Sequence, residues 1–194
     1  NLKKYEHNIQ YANELLDKAG YIDPDGKGPL PRFTLTFKTS QNELRRRIAT
    51  VLADQLSYIG IKIRVRSYEW GTFFSDIRKG NFQLYSLTWV GISDPDIYRF
   101  IFHSNFFPPR GLNRGKYRNG LVDKLLENAS LNPNKDYRRE NYQIVQEILA
   151  RDLPYINLWH GVNVAVFNKK IKGYQVYQNE DLISLSKITV EKKP

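Results

Sequence analysis

Hydrophobic positions first repeat at helical spacing and then alternate, and this switch recurs through the first half of the chain. Ile9, Ala12, Leu15, Leu16 and Ala19 fall on one helical face. Asn8 is placed to cap that helix and Gly20 to end it. Phe33, Leu35 and Phe37 then alternate with Thr34, Thr36 and Lys38, the period of a half-buried strand. Ser40 and Glu43 have the spacing of a capping box, with Ser40 as the cap. The helix behind them carries Leu44, Ile48, Val51, Leu52, Leu56 and Ile59 on one stripe and stops at Gly60. Ile61, Ile63 and Val65 alternate with Lys62, Arg64 and Arg66, giving a second strand with one apolar and one basic face. Residues 70–78 read as a short helix, Gly80-Asn81 as a turn, and 82–90 as a third strand. The near-continuous apolar character of that strand, at Leu84, Tyr85, Leu87 and Trp89, predicts a central position in the sheet.

Strand, helix, strand, helix, strand in this order predicts an α/β fold, a sheet flanked by helices with right-handed crossovers. The second half is less regular. Residues 96–102 suit a helix with Asp94 as its cap and Pro95 in its first turn. Residues 103–118 are loop-like, with Pro108-Pro109, Gly111 and Gly115. Helices are expected over 121–129 and over 136–151, the latter with Ile144, Val145, Ile148 and Leu149 inward and Leu153-Pro154 at its end. Residues 155–167 read as strand-rich, Ile171-Lys172-Gly173 as a break, and 182–190 as a last strand. No internal repeat or low-complexity tract is evident.

Composition narrows the function classes. With 194 residues, 41% of them hydrophobic, the chain supports one core and one domain with an appendage. No run approaches the roughly 20 apolar residues that span a bilayer. The opening NLKKYEH lacks the charged and apolar regions of a secretory signal, so a signal peptide is expected to be absent or removed. The lack of cysteine excludes disulfides and thiolate metal sites and is compatible with an oxidising compartment. A net charge of +10 would attract nucleic acid, anionic lipid or acidic ligands, yet a solvated basic face is the simpler reading. Arg45-Arg46-Arg47 with Lys62, Arg64 and Arg66 offers a basic patch, but only Tyr58 and Tyr68 flank it, too few aromatics for a nucleic-acid surface.

Candidate chemistry is sparse. His7, His103 and His160 have no metal-ligand spacing. The segment 23–29 is a turn rather than a calcium loop, because Lys27 stands where an acid is wanted. There is no phosphate-binding glycine loop and no nucleophile elbow. Asp94 and Asp96 are explained by helix capping. No catalytic residue, metal or cofactor is therefore expected. The aromatic set Trp70, Phe73, Phe74, Tyr85, Trp89, Tyr98, Tyr117 and Trp159 is rich and mostly destined for the core. Trp89 is the exception, because it leaves a strand at its carboxyl end, where open α/β sheets place ligands. Tyr85 precedes it on the same strand face.

The order of short motifs resembles the second lobe of the peptide/nickel-type extracytoplasmic solute-binding proteins of ABC transporters, solute-binding protein family 5. The run Ala12-Asn13-Glu14-Leu15-Leu16-Asp17-Lys18-Ala19-Gly20-Tyr21 is similar to that family's A-x-x-L-L-x-x-A-G-Y. Gly60-Ile61-Lys62-Ile63 resembles its G-I-x-V, and Trp89 with Asp94-Pro95 its W…DP segment. Tyr117-Arg118-Asn119 with Val122-Asp123 and Leu125-Leu126 resembles its Y-x-N…V-D-x-L-L, and Leu153-Pro154-Tyr155-Ile156 its L-P-x-I.

The resemblance implies a mixed sheet flanked by helices in a periplasmic binding protein-like (type II) lobe. Residues 1–174 would form lobe two of a two-lobed binding protein, and 175–194 a segment returning to the first lobe. It implies capture of a peptide or other small solute between the lobes and delivery to transmembrane permease subunits. It also implies an extracytoplasmic location, a monomer, no nucleic acid and no turnover. The ligand face would comprise Tyr85, Trp89 and Asp94, with Asn113 and Tyr117. In peptide-binding members an acid shortly after the tryptophan pairs with the ligand's amino group, whereas here Val90-Gly91-Ile92-Ser93 carries none. Either Asp94 substitutes or the ligand has no free amino terminus there. The alternative from another class is the ligand-sensing domain of a transcription regulator, which the residues upstream of Asn1 would decide.

Overall fold

Two helix–strand alternations build a three-stranded parallel sheet in the computed structural model, which describes residues 2–26 and 28–191. Helix α1 (Ile9–Lys18) is capped by Asn8, whose side chain accepts from the Tyr11 amide, and Gly20 follows with φ +87. Strand β1 (Phe33–Ser40) leads into α2 (Glu43–Ser57), β2 (Ile61–Tyr68), α3 (Trp70–Lys79) and the two-residue β3 (Leu84–Tyr85). The order is β2-β1-β3, with Phe33 opposite Ile61 and Phe37 opposite Leu84. The central strand is thus β1, not β3. The apolar run after Tyr85 is spent on packing: Trp89 lies against the helical core beyond the sheet rather than in a ladder.

Local chemistry explains the elements and one displaced cap. The helix α2 is capped by Asn42, which accepts from the Arg45 amide at 3.1 Å. Ser40 is instead the last residue of β1, opposite Tyr68 in the ladder. Ala49 is the fully buried residue of α2, whereas Leu44 and Val51, expected inward, are exposed. Gly60, with φ +76, makes the turn into β2, and a Cβ there would meet the Arg32 side chain at 2.9 Å. Arg32 in turn binds Asp17, the Tyr21 carbonyl and Asn13, fastening α1 to the start of the sheet. Phe73 and Ile77 of α3 are wholly buried with Phe37 and Ile61, worth about 1.5–3 kcal/mol each as burial.

A second packing centre lies among α4 (Ile97–Phe102), α5 (Gly120–Leu131) and α6 (Lys135–Asp152). Ile101, Phe102, Val122, Leu126, Tyr142 and Val145 form it. Asn119 caps α5 and Asn134 caps α6. Ile144 points outward, and Asn141 and Tyr142 take the inward positions beside Val145, Ile148 and Leu149. The α4 helix begins at Ile97, so Pro95 lies before its first turn. The Tyr5 hydroxyl donates to the carbonyls of Ala150 and Arg151 at the end of α6.

Beyond α6 the expected strands are mostly missing. Residues 155–170 form no ladder among the described residues, and Ile156, Val162, Val164 and Val166 are exposed. In place of a strand over 182–190 there is a 3-10 turn (Ile183–Lys187) and a two-residue β5 (Thr189–Val190), antiparallel to β4 (Ile171–Lys172). That pair is the antiparallel component; the main sheet is parallel throughout. Alternation in these segments marks strand propensity, but among the described residues no backbone pairs with 155–170. Lys27 of the 23–29 turn and residues 192–194 of the returning segment lie outside the described residues.

Candidate functional site

The carboxyl ends of the parallel strands gather the aromatic and charged groups. Lys38, late in β1, donates to Asp76 of α3 at 2.7 Å and lies 5.4 Å from the Tyr68 ring centre. The Lys38 bond, with help from Asn81, holds the Asp76 carboxyl below its usual range. Thr39 and Ser40 are buried at the same end. Tyr85 closes β3 and reaches Tyr155, the two hydroxyls 3.2 Å apart. Burial first, and the Tyr85 contact second, push the Tyr155 phenol well above its ordinary pKa. Tyr155 is thus a neutral group at any physiological pH.

Trp89 stands next to this pair and is half-buried, with Val90 and Ile92 exposed beside it. Over its ring lies the Arg114 guanidinium, 5.0 Å from the centroid. The same guanidinium lies 5.7 Å from the ring of Phe74 on α3. The loop that carries Arg114 runs beside the chain at Tyr155: a Cβ on Gly115 would lie 3.8 Å from the Pro154 carbonyl. Tyr85 thus pairs with Tyr155 and Trp89 with Arg114, and Trp89 and Tyr155 pack against the same helical core.

The other three expected residues sit elsewhere and are already engaged. Asp94 accepts from the Asp96 amide at 2.8 Å and from Arg138 of α6 at 2.7 Å. It organises the approach to α4 and leaves that helix without a side-chain cap. Asn113 is 1% exposed. Its amide donates to the carbonyls of Phe102, His103 and Tyr117 and accepts from the Tyr117 amide, so it staples the 103–118 loop and faces no open surface. The Tyr117 hydroxyl donates to Asp152 at 2.6 Å. Burial first and that bond second raise the phenol to about 12, and the same bond pulls Asp152 down.

Other charged groups lie apart from this cluster. Among the described residues no three acidic or histidine side chains are grouped to hold a metal ion. His103 is buried, accepts from the Asn105 amide through Nδ1 and turns Nε2 to Glu127 at 3.0 Å, a structural arrangement. An open depression between α2 and β2 is lined by Arg46, Arg47, Val51 and Val65 and lies on the basic face, away from Trp89. No helix among the described residues is long and apolar enough to cross a membrane.

Comparison with known proteins decides the lineage. Residues 1–106 match the bacterial extracellular solute-binding proteins, family 5, middle region. The chain belongs to this family. Family 5 relatives include the oligopeptide-binding protein AppA of Bacillus subtilis, 34% identical over 192 residues, covering 95% of this chain and 35% of that protein. Another is the periplasmic murein peptide-binding protein MppA of Escherichia coli, 27% identical, covering 93% of this chain and 32% of the relative. The structure of Bacillus subtilis AppA in complex with a nonapeptide superposes with a TM-score of 0.79 at 26% identity, over 99% of this chain and 39% of that one. The chain thus spans about a third of the length of its curated family 5 relatives. The fold is the α/β fold of the periplasmic binding proteins.

Within this family 5 segment, Arg114 and Tyr155 join the candidate site without having been legible as candidates in the sequence. Arg114 belongs to a glycine-flanked loop with no periodicity. The one available signal was a run of cations, Arg110, Arg114, Lys116 and Arg118, with no acid among them.

Proposed function

We propose that this chain is the larger part of one lobe of a solute-binding component of an ABC importer. It captures a peptide or peptide-like ligand between two lobes and presents it to the permease outside the cytoplasm, without turnover. The observation that carries this reading is the cluster of Tyr85, Trp89, Arg114 and Tyr155 at the carboxyl edge of the sheet, where α/β folds bind ligands. Trp89 supplies an apolar face, and Tyr85 with the following loop supplies polar groups for an extended backbone. Asn113 and Tyr117 shape the loop behind, and Asp94 acts through Arg138.

The lobe was expected to run to residue 174. Within it the ribbon of exposed Ile156, Val162, Val164 and Val166 supports a reading in which the partner lobe covers that stretch. Native mass spectrometry of the full-length protein, purified without refolding, tests the function. A retained peptide is the expected result, and Trp89→Ala should weaken its binding by about tenfold or more. A retained sugar or metal chelate would overturn the peptide assignment. A protein that retains nothing and binds no peptide from a defined mixture would overturn the reading as a whole.

A further inference from the structure

Arg114 is 6% exposed, yet it forms no ion pair and its guanidinium has no hydrogen-bond acceptor among the described residues. The wholly sealed, unpartnered donors among those residues are Nε of Arg32 and Nε of Arg99, so the Arg114 nitrogens keep an opening to solvent. A buried cation normally finds a counter-charge, because ring faces restore only part of the hydration it loses. Among the described residues the head lies against the rings of Trp89 and Phe74. Rings centred 5.0 and 5.7 Å from the guanidinium carbon confine the head without accepting hydrogen bonds from its N–H fork in the manner of a carboxylate. The fork matches a carboxylate, which it binds through two parallel hydrogen bonds.

We infer that Arg114 is a specificity-determining residue that receives a carboxylate of the ligand at the Trp89 edge of the cleft. This rests on the proposed binding function and narrows its substrate class to ligands with a carboxylate at that position. The chemistry is shared by a peptide's C-terminus and by an acidic side chain. The aromatic faces fix the direction of approach, so the residue discriminates by charge and by geometry together.

The test uses full-length protein stripped of co-purified ligand by denaturation and refolding, in wild-type, Arg114→Met and Arg114→Lys forms. Calorimetric titration compares tetra-alanine, tetra-alanine amide, and Ala-Glu-Ala-Ala amide, all with a free amino terminus. Wild type should bind one of the two carboxylate-bearing peptides at least about tenfold tighter than the neutral amide. Arg114→Met should reduce that preference to less than about twofold. Arg114→Lys keeps the charge without the planar fork and should fall between them. Which peptide is preferred separates terminus from side chain. A preference that survives in Arg114→Met, or none in wild type, overturns the inference and leaves peptide capture intact. If wild type binds no peptide, the peptide reading fails and thermal melting with succinate decides. A succinate-induced rise that Arg114→Met abolishes supports a carboxylate receptor for a non-peptide ligand, and no rise overturns the inference as well.

Discussion

Replacing Asn113 by alanine separates a ligand contact from a loop staple. The amide Nδ2 lies 3.1, 3.2 and 2.8 Å from the carbonyls of Phe102, His103 and Tyr117, and Oδ1 accepts from the Tyr117 amide at 2.9 Å. Two amide hydrogens and one acceptor amount to three good hydrogen bonds, each worth about 1 kcal/mol net. Asn113→Ala should therefore cost roughly 3 kcal/mol, since the stranded carbonyls and amide are too deep for easy hydration. For a domain of this size that is a fall in melting temperature of about 6–12 °C. Asn113→Asp should cost more, because it turns a negative oxygen onto three carbonyls in a buried site. Differential scanning calorimetry of the full-length protein reads the lobe transition, and titration of the ligand it retains reads binding. A melting shift under about 2–4 °C, together with a tenfold weaker ligand, would show that the side chain serves the ligand instead.

Two further outcomes follow from the same contacts. Asp76 titrates below its ordinary value of 3.8 because Lys38 and Asn81 hydrogen-bond the carboxylate, so its contribution is present above that value and lost as pH falls through the lower folded one. Wild type should lose melting temperature between about pH 5 and pH 2 more steeply than Asp76→Asn, and parallel slopes would remove the pair from the acid response. The exposed valines of the ribbon predict that the 194-residue chain alone binds a hydrophobic dye that the full-length protein excludes. Val164→Asp with Val166→Asp should cut that dye signal and lower full-length stability, whereas full-length protein melting like wild type would mean that no partner surface covers them.

The elements legible in the sequence were those whose cause is local. Helix α1, strands β1 and β2 and helix α3 follow from alternation, from Asn8 and from glycines at chain reversals, all visible within a few residues. Ser40 and Asn42 are both good caps two residues apart, and the choice fell to pairing with Tyr68 on another strand, which local pattern does not contain. The run after Phe82 shows the same limit, because an apolar stretch packs equally well in a ladder or against helices. At the site, Tyr85 and Trp89 stood out by their place at a strand end. The burial of Asn113 was not legible, because a polar residue in a loop looks available until its carbonyl partners are folded around it. Arg114 and Tyr155 meet the strand end only through contacts spanning tens of residues.

The bond from Tyr5 to the carbonyls of Ala150 and Arg151 sets the start of this segment beside the end of its last long helix. Between those two points the polypeptide completes its sheet and both packing centres and comes back to where it began. A unit whose way in and way out share one doorway can be set into a surface turn of a host fold without rethreading the host. Such a unit must reach past Tyr155, because that side chain packs on the helical core and pairs with Tyr85 of the sheet.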